Sequence, residues 1–170
     1  MSLSIIIPVY NESKQLKITI SKLIKLKKKI NIELIFIDDF SSDGSFGLIK
    51  KLKKKSKFIK VFKNPKKGLG SAIETGIKKS KFLYTCIFMC DLSDDTKDII
   101  KYYKTINKSK KIDAVLGTRF SPNSKISNYP SFKLILNRIA NNIIRIIFWS
   151  DYNDFTNAFK IYKKQTLMKL

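Results

Sequence analysis

The sequence predicts an α/β fold: a mostly parallel central sheet with helices on both faces. Two observations carry this reading. Short β-branched apolar runs alternate with lysine-rich amphipathic stretches from the first residues to about residue 120. Those runs are apolar throughout rather than at every second position, as strands covered on both faces must be. With 170 residues and 44% hydrophobic content, the chain is expected to fold as one domain, 1–170, around one core.

The elements follow in order. Leu3 to Val9 reads as a strand, and Glu12 to Lys28 as a helix with Leu16, Ile20, Leu23 and Ile24 on one side. Glu33 to Ile37 is a second strand, followed by the turn Ser41-Ser42-Asp43-Gly44 and a helix to about Lys55. Phe58 to Phe62 is a third, leading through Asn64-Pro65, Gly68 and Gly70 to a helix reaching Lys79. Phe82 to Cys90 is a fourth, with a helix over Thr96 to Asn107 behind it, and Asp113 to Gly117 is a fifth. Beyond a polar loop, Ser121 to Pro130, a helix runs from Ser131 to about Trp149. Its apolar positions Phe132, Leu136, Ile139, Ile143 and Ile147 are expected to pack against the sheet, with docking on a membrane or a second subunit as the alternative.

Ligands bind such sheets beyond the carboxyl ends of the strands, and the polar residues cluster there. Tyr10-Asn11-Glu12 follows the first strand, Asp38-Asp39 the second, and Asp91 to Asp95 the fourth.

Composition removes several chemistries. The chain has no histidine, so histidine bases, histidine metal ligands and Ser-His-Asp triads are excluded. Cys86 and Cys90 fit neither a CxxC pair nor a zinc knuckle, and are expected to be buried and reduced, as in a cytoplasmic protein. No run approaches the roughly 18 apolar residues that span a bilayer, and Leu3 to Val9 lacks the basic leader of a signal peptide. The net charge of +22 brings acidic partners into consideration, with a compositional bias of lysines spread over solvated helix faces as the plainer reading. Of 35 basic residues only Arg119, Arg138 and Arg145 are arginines, and no aromatic-basic face or arginine-bearing recognition helix is visible, so nucleic acid is not expected. Attraction to an anionic membrane surface remains open.

Glu12 and Asp39 suit hydrogen bonding to a nucleoside's base and ribose, because carboxylates accept from N–H and O–H donors. Each serves equally as a helix cap or turn residue. Asp91, Asp94 and Asp95 form an acidic patch suited to Mg²⁺ or Mn²⁺ bridging a diphosphate, although Asp94 or Asp95 also fits the first turn of the next helix. Lys67-Gly68-Leu69-Gly70-Ser71 has the look of a phosphate cradle without the spacing of a known one.

Six segments occur in an order that resembles the family-2 glycosyltransferases of GT-A fold. They are Pro8-Val9-Tyr10-Asn11-Glu12, Ile37 to Ser45, Lys67 to Ala72, Cys90 to Asp94, Gly117-Thr118-Arg119-Phe120 and Asp154 to Lys160. The likeness is nearest to the dolichol-phosphate mannose synthases and bacterial polyprenyl-phosphate glycosyltransferases. It implies a Rossmann-like nucleotide-binding half and inverting transfer from a nucleoside-diphosphate sugar, GDP-mannose or a UDP-sugar, to a polyprenyl phosphate at the membrane surface. A sugar or lipid hydroxyl is the alternative acceptor, with Asp94 or Asp95 taking its proton. Pro8, Tyr10, Glu12 and Asp39 would hold the nucleoside, Gly70 would lie near the donor, Asp91 would bind Mg²⁺ or Mn²⁺, and Arg119 and Lys160 would meet the phosphates. Met89-Cys90-Asp91 stands where many relatives carry Asp-x-Asp, leaving Asp94 or Asp95 to compensate for the first carboxylate. The motif Thr156-Asn157-Ala158-Phe159 stands where Thr-Ser-Gly-Phe is commoner.

Overall fold

The computed structural model describes residues 2–54, 56–91, 94–120 and 131–169. The expected loop Ser121 to Pro130 lies outside these, as do Lys55, Leu92 and Ser93. Among the described residues the elements follow one another as β1 (Ser2–Val9), α1 (Ser13–Leu26), β2 (Asn31–Asp38), α2 (Ser45–Lys54), β3 (Ile59–Lys63), α3 (Leu69–Lys79), β4 (Tyr84–Ile87), α4 (Thr96–Ile106), β5 (Ala114–Leu116), α5 (Ser131–Ile147), β6 (Lys160–Lys163) and α6 (Lys164–Leu167).

The strands form one sheet in the order β3-β2-β1-β4-β6-β5, with β1 to β4 parallel and β6 antiparallel to both its neighbours. Both faces are covered. Leu3, Ile5, Ile7 and Val9 of β1 point to one side, with Leu34 and Phe36, onto the apolar faces of α1 (Leu16, Ile20, Leu23) and α4 (Ile99, Tyr103, Ile106). Ile6, Ile35 and Ile37 point to the other, onto Ala72 of α3. There the helix lies so close that a Cβ on Gly76 would sit 2.3 Å from Cγ2 of Ile6, so this contact requires glycine. Cys86 and Cys90 are buried and free, in the first of these two clusters.

The chain leaves β1 to build β2 and β3 on one side and β4 on the other, so strand order reverses between β1 and β4. At such a switch point the connections diverge and open a crevice at the carboxyl edge. Pro8 widens it. Phe88 still donates its N–H to the Ile6 carbonyl (2.9 Å), but the next rung toward β4 would have to come from residue 8, and proline has no N–H. The fourth strand therefore ends at Ile87, short of the expected Cys90.

Two expectations need correction. The sequence showed no strand at Lys160–Lys163, yet β6 lies between β4 and β5, pairing Lys160 with Ile87 and Leu116. And α5 does not pack its apolar row on the sheet. Phe132, Ile135, Leu136, Ile139, Ile143, Ile146 and Ile147 are between 49% and 75% exposed, because the inward side of α5 is held by the polar side chain of Asn141, 1% exposed.

Candidate functional site

The loops after β1 and β2 are stitched together by polar bonds. Asn11, at φ 55°, donates its N–H to Ser41 Oγ and accepts from Ser42 N–H at 2.8 Å. Asp43 accepts from the N–H of Ser13 (2.8 Å) and from Ser45 N–H and hydroxyl (3.0 and 2.6 Å). Desolvation alone would raise the exposed Asp43 carboxyl, but these donors outweigh it and hold its pKa well below the usual carboxylate range. Because Asp43 satisfies the start of α1, Glu12 occupies the N-cap position without a capping hydrogen bond from its side chain. The capping reading of Glu12 is thus replaced. Its carboxyl is pushed above its usual pKa by burial, and then by Asp91 and Asp43.

Asp39 is 8% exposed and turned toward the loop before α3. Its Oδ1 accepts from Asn64 Nδ2 at 2.7 Å and its two oxygens accept from Gly68 N–H at 2.9 and 3.0 Å. Gly68 needs its freedom, since φ is 130°. The first glycine N–H of the expected phosphate cradle is thereby committed to a carboxylate, and Gly70 lies exposed in the opening turn of α3. Asn64 also accepts from the Ser71 hydroxyl (3.0 Å), which pins the turn. Half-exposed Tyr10 lies beside this loop, with Lys67 Nζ 5.2 Å from its ring centroid.

On the far side of the crevice the acidic patch divides by role. Asp95 is the cap of α4, accepting from Lys97 N–H at 2.9 Å. Asp94 is not: its Oδ2 is buried without a hydrogen-bond partner, and burial followed by the charge of Asp91 pushes its pKa up to about 7. Asp91 is exposed at the crevice mouth. Its field reaches Glu12 across the switch point and Asp94 beside it.

The third side comes from β6 and the segment before it. Because β6 runs antiparallel, Lys160 sits opposite Ile87 and Leu116, at the carboxyl edge. Lys160 donates to the Phe155 carbonyl (2.9 Å), and burial lowers its pKa. Arg119 lies against Asp154, with Nε–Oδ2 3.0 Å, Nη2–Oδ1 2.7 Å and a further bond from its backbone N–H (2.7 Å). Asp154, Asn64, Asp43 and Asn141 had no assigned part in the sequence reading. Asp154 opens the segment Asp154 to Lys160 that carries part of the family resemblance, but nothing in the sequence paired it with Arg119. Next to this pair, Phe120, Arg138, Asn142, Arg145 and Asn153 line an open cavity of about 250 Å³. Arg119 and Arg138 both lie over the Phe120 ring (5.7 and 5.4 Å), so all three arginines gather here.

Glu12, Asp39, Asp91, Asp94, Arg119 and Lys160 therefore share one edge of the sheet. Among the described residues no group of three metal-binding side chains converges. Asp91 does act electrostatically on both Glu12 and Asp94, and a divalent ion that keeps waters and takes its other ligands from phosphates needs only one or two carboxylates.

Residues 4–170 match the family described as Glycosyl transferase family 2. The chain is similar to a dolichol-phosphate mannosyltransferase of Pyrococcus furiosus, 27% identical over 146 residues, covering 86% of this chain and 41% of that protein. It is also similar to a polyprenol monophosphomannose synthase of Mycolicibacterium smegmatis, 23% identical, covering 98% of this chain and 63% of that one. The chain thus spans about half the length of these curated relatives. Among solved structures, a mannosyltransferase from Pyrobaculum calidifontis in complex with GDP-Man and Mn²⁺ superposes with a TM-score of 0.67 at 14% identity, covering 98% of this chain and 46% of that one. Glucosyl-3-phosphoglycerate synthase from Mycobacterium tuberculosis, in complex with Mn²⁺, UDP and glucosyl-3-phosphoglycerate, gives 0.76 at 13% identity, covering 99% and 59%. At such identities the likeness speaks to fold alone, and the fold is GT-A.

Proposed function

The chain belongs to glycosyl transferase family 2, and from that premise we propose that it carries the donor-binding part of a divalent-metal-dependent, inverting hexosyltransferase. Its donor is a nucleoside-diphosphate sugar, GDP-mannose or a UDP-sugar, and its acceptor a polyprenyl or dolichyl phosphate, met at the cytoplasmic face of a membrane. The observation that carries the reading is the Asp91–Asp94 pair at the β1/β4 switch point, facing Glu12.

The residues fit Mg²⁺ or Mn²⁺. Asp94 holds a buried oxygen with no hydrogen-bond partner, and its carboxyl and that of Glu12 are both pushed up in pKa, by burial and by the neighbouring Asp91. A divalent ion between Asp91 and Asp94 would relieve that repulsion, and when bound it supplies positive charge against the leaving diphosphate. Asp39, with Tyr10 and Pro8, shapes the nucleoside end; Glu12 accepts from sugar or ribose hydroxyls. Arg119, braced on Asp154, and Lys160, desolvated beside it, set fixed positive charge along the phosphates before reaction.

Direct displacement by a phosphate oxygen at the anomeric carbon inverts that centre and releases the nucleoside diphosphate. The phosphate acceptor is ionised near neutrality and needs no general base, consistent with a chain that has no histidine. The cavity lined by Arg138, Arg145, Asn142 and Asn153 supports an anionic acceptor, since guanidinium groups match phosphate oxygens.

The test is transfer from radiolabelled GDP-mannose and UDP-glucose to polyprenyl phosphate with Mn²⁺ or with chelator. Label in the lipid extract only with metal is expected; label passing equally to unphosphorylated polyprenol would replace the phosphate acceptor with a hydroxyl.

A further inference from the structure

The helix α5 is the largest structural departure from expectation. Phe132, Ile135, Leu136, Ile139, Ile143, Ile146 and Ile147 fall within an arc of roughly 120° at 3.6 residues per turn. Asn141 lies opposite that arc and anchors the helix, donating to Thr156 Oγ1 (3.0 Å) and accepting from Thr156 N–H (3.2 Å). The apolar row consequently points straight away from the protein over about 23 Å. It continues into Phe148, 70% exposed, and Trp149, 96% exposed at φ 48°. A row of this size left to water is costly, at about 25 cal/mol per Å² of apolar surface.

We propose that α5 is a membrane-docking helix that lies in the plane of an anionic lipid surface. Charge decides between occupants. The helix carries Lys133, Arg138 and Arg145 and no acidic residue, and the chain is at +22, so a second copy brought face to face would add like charge to like. An anionic bilayer attracts the same charge, receives the apolar row among its acyl chains and takes aromatic side chains at the level of its headgroups, here Phe132 at one end and Phe148 and Trp149 at the other. Among the described residues no helix is long and apolar enough to cross a membrane, so the contact is interfacial. Arg138 and Arg145, which line the arginine cavity, stand on this same helix, so docking would bring that cavity to headgroup depth. This deepens the reading of a lipid-borne acceptor but is measured without donor or acceptor.

Trp149 is the single tryptophan and reports directly. Its emission is expected to shift to the blue on adding phosphatidylcholine vesicles containing phosphatidylglycerol, and to be quenched by brominated acyl chains, with a much weaker response to phosphatidylcholine alone. Substituting Ile139→Ser and Ile143→Ser together, both on the exposed row, should weaken partitioning at least about tenfold while the thermal shift by GDP or UDP persists. An unmoved Trp149, equal binding by the double variant, or a lipid-independent dimer that buries Trp149 would overturn the docking role. Loss of the nucleotide shift with lipid binding intact would instead count against the transferase reading.

Discussion

Arg119 and Asp154 are held as a bidentate ion pair with the carboxylate fully buried, and this pair ties the strand pairing of β5 to the segment that leads into β6. The wall of the site facing the acidic patch is therefore braced by a contact between residues 35 apart, alongside the bonds of Thr118 to Asn153 and of Tyr152 and Asn157 to the Gly117 carbonyl. The ion pair is stronger than an exposed one because water cannot compete for Asp154.

Removing one partner leaves the other charge buried or forces the segment apart. Asp154→Asn is expected to lower unfolding stability by about 3 kcal/mol, read as a shifted urea midpoint at unchanged slope. Arg119→Lys should recover part of the wild-type value but not the bidentate geometry. An unchanged midpoint in Asp154→Asn would falsify the structural weight given to the pair.

Glu33 supplies the pH dependence. Burial on its own would raise its pKa, but Lys60 Nζ (2.7 Å), the Ser4 hydroxyl (2.6 Å) and Lys81 N–H (2.8 Å) outweigh it and hold the carboxyl below its ordinary 4.5. A depressed folded-state pKa contributes stability that is present above the unfolded value and is lost as pH falls through the folded one. Glu33→Gln should therefore be less stable than wild type by roughly 2 kcal/mol near neutrality, and the gap should narrow as the pH falls below the ordinary 4.5. Denaturation curves at several pH values check this, and a gap that persists in acid would contradict it.

Gly76→Ala is expected to cost about 1–3 kcal/mol, because its Cβ would meet Ile6 Cγ2 at 2.3 Å in a fully packed layer. The same substitution in an Ile6→Ala background should cost much less, since the obstructing methyl is gone. A double-mutant cycle with no coupling energy would show that α3 can retreat from the sheet.

Asp91→Ala should abolish the additional thermal stabilisation that Mn²⁺ gives in the presence of GDP or UDP, while leaving the metal-free melting temperature close to wild type, because Asp91 is exposed. Asp95→Ala should do the reverse: lose the cap of α4, at about 1 kcal/mol, and keep the metal-dependent shift. Calorimetry on both variants separates the roles of two carboxylates four residues apart.

Much of this was legible in residue order. Apolar continuity marked the first five strands, and the acidic and glycine motifs at their ends marked one edge of a sheet. What local pattern could not supply was lateral order. Lys160-Ile161-Tyr162-Lys163 is too short and too mixed to announce a strand, and its antiparallel insertion between β4 and β5 follows from edge pairing with Cys86 and Val115 across the gap. In the same way, helical spacing identified α5 but not its partner, because amphipathicity states that a face is apolar and not what covers it.

By itself the sequence determined which residues stand where parallel strands stop, and that acidic side chains cluster there, since side-chain type and strand period are local properties. The tertiary structure alone decided that β4 lies against β1, that Pro8 ends their ladder and opens the crevice, and that a reversed β6 carries Lys160 and the Asp154 brace to the same edge. Those outcomes depend on which hydrogen-bonding edges and apolar faces find one another across the chain, and such pairings are energies of contact between distant segments.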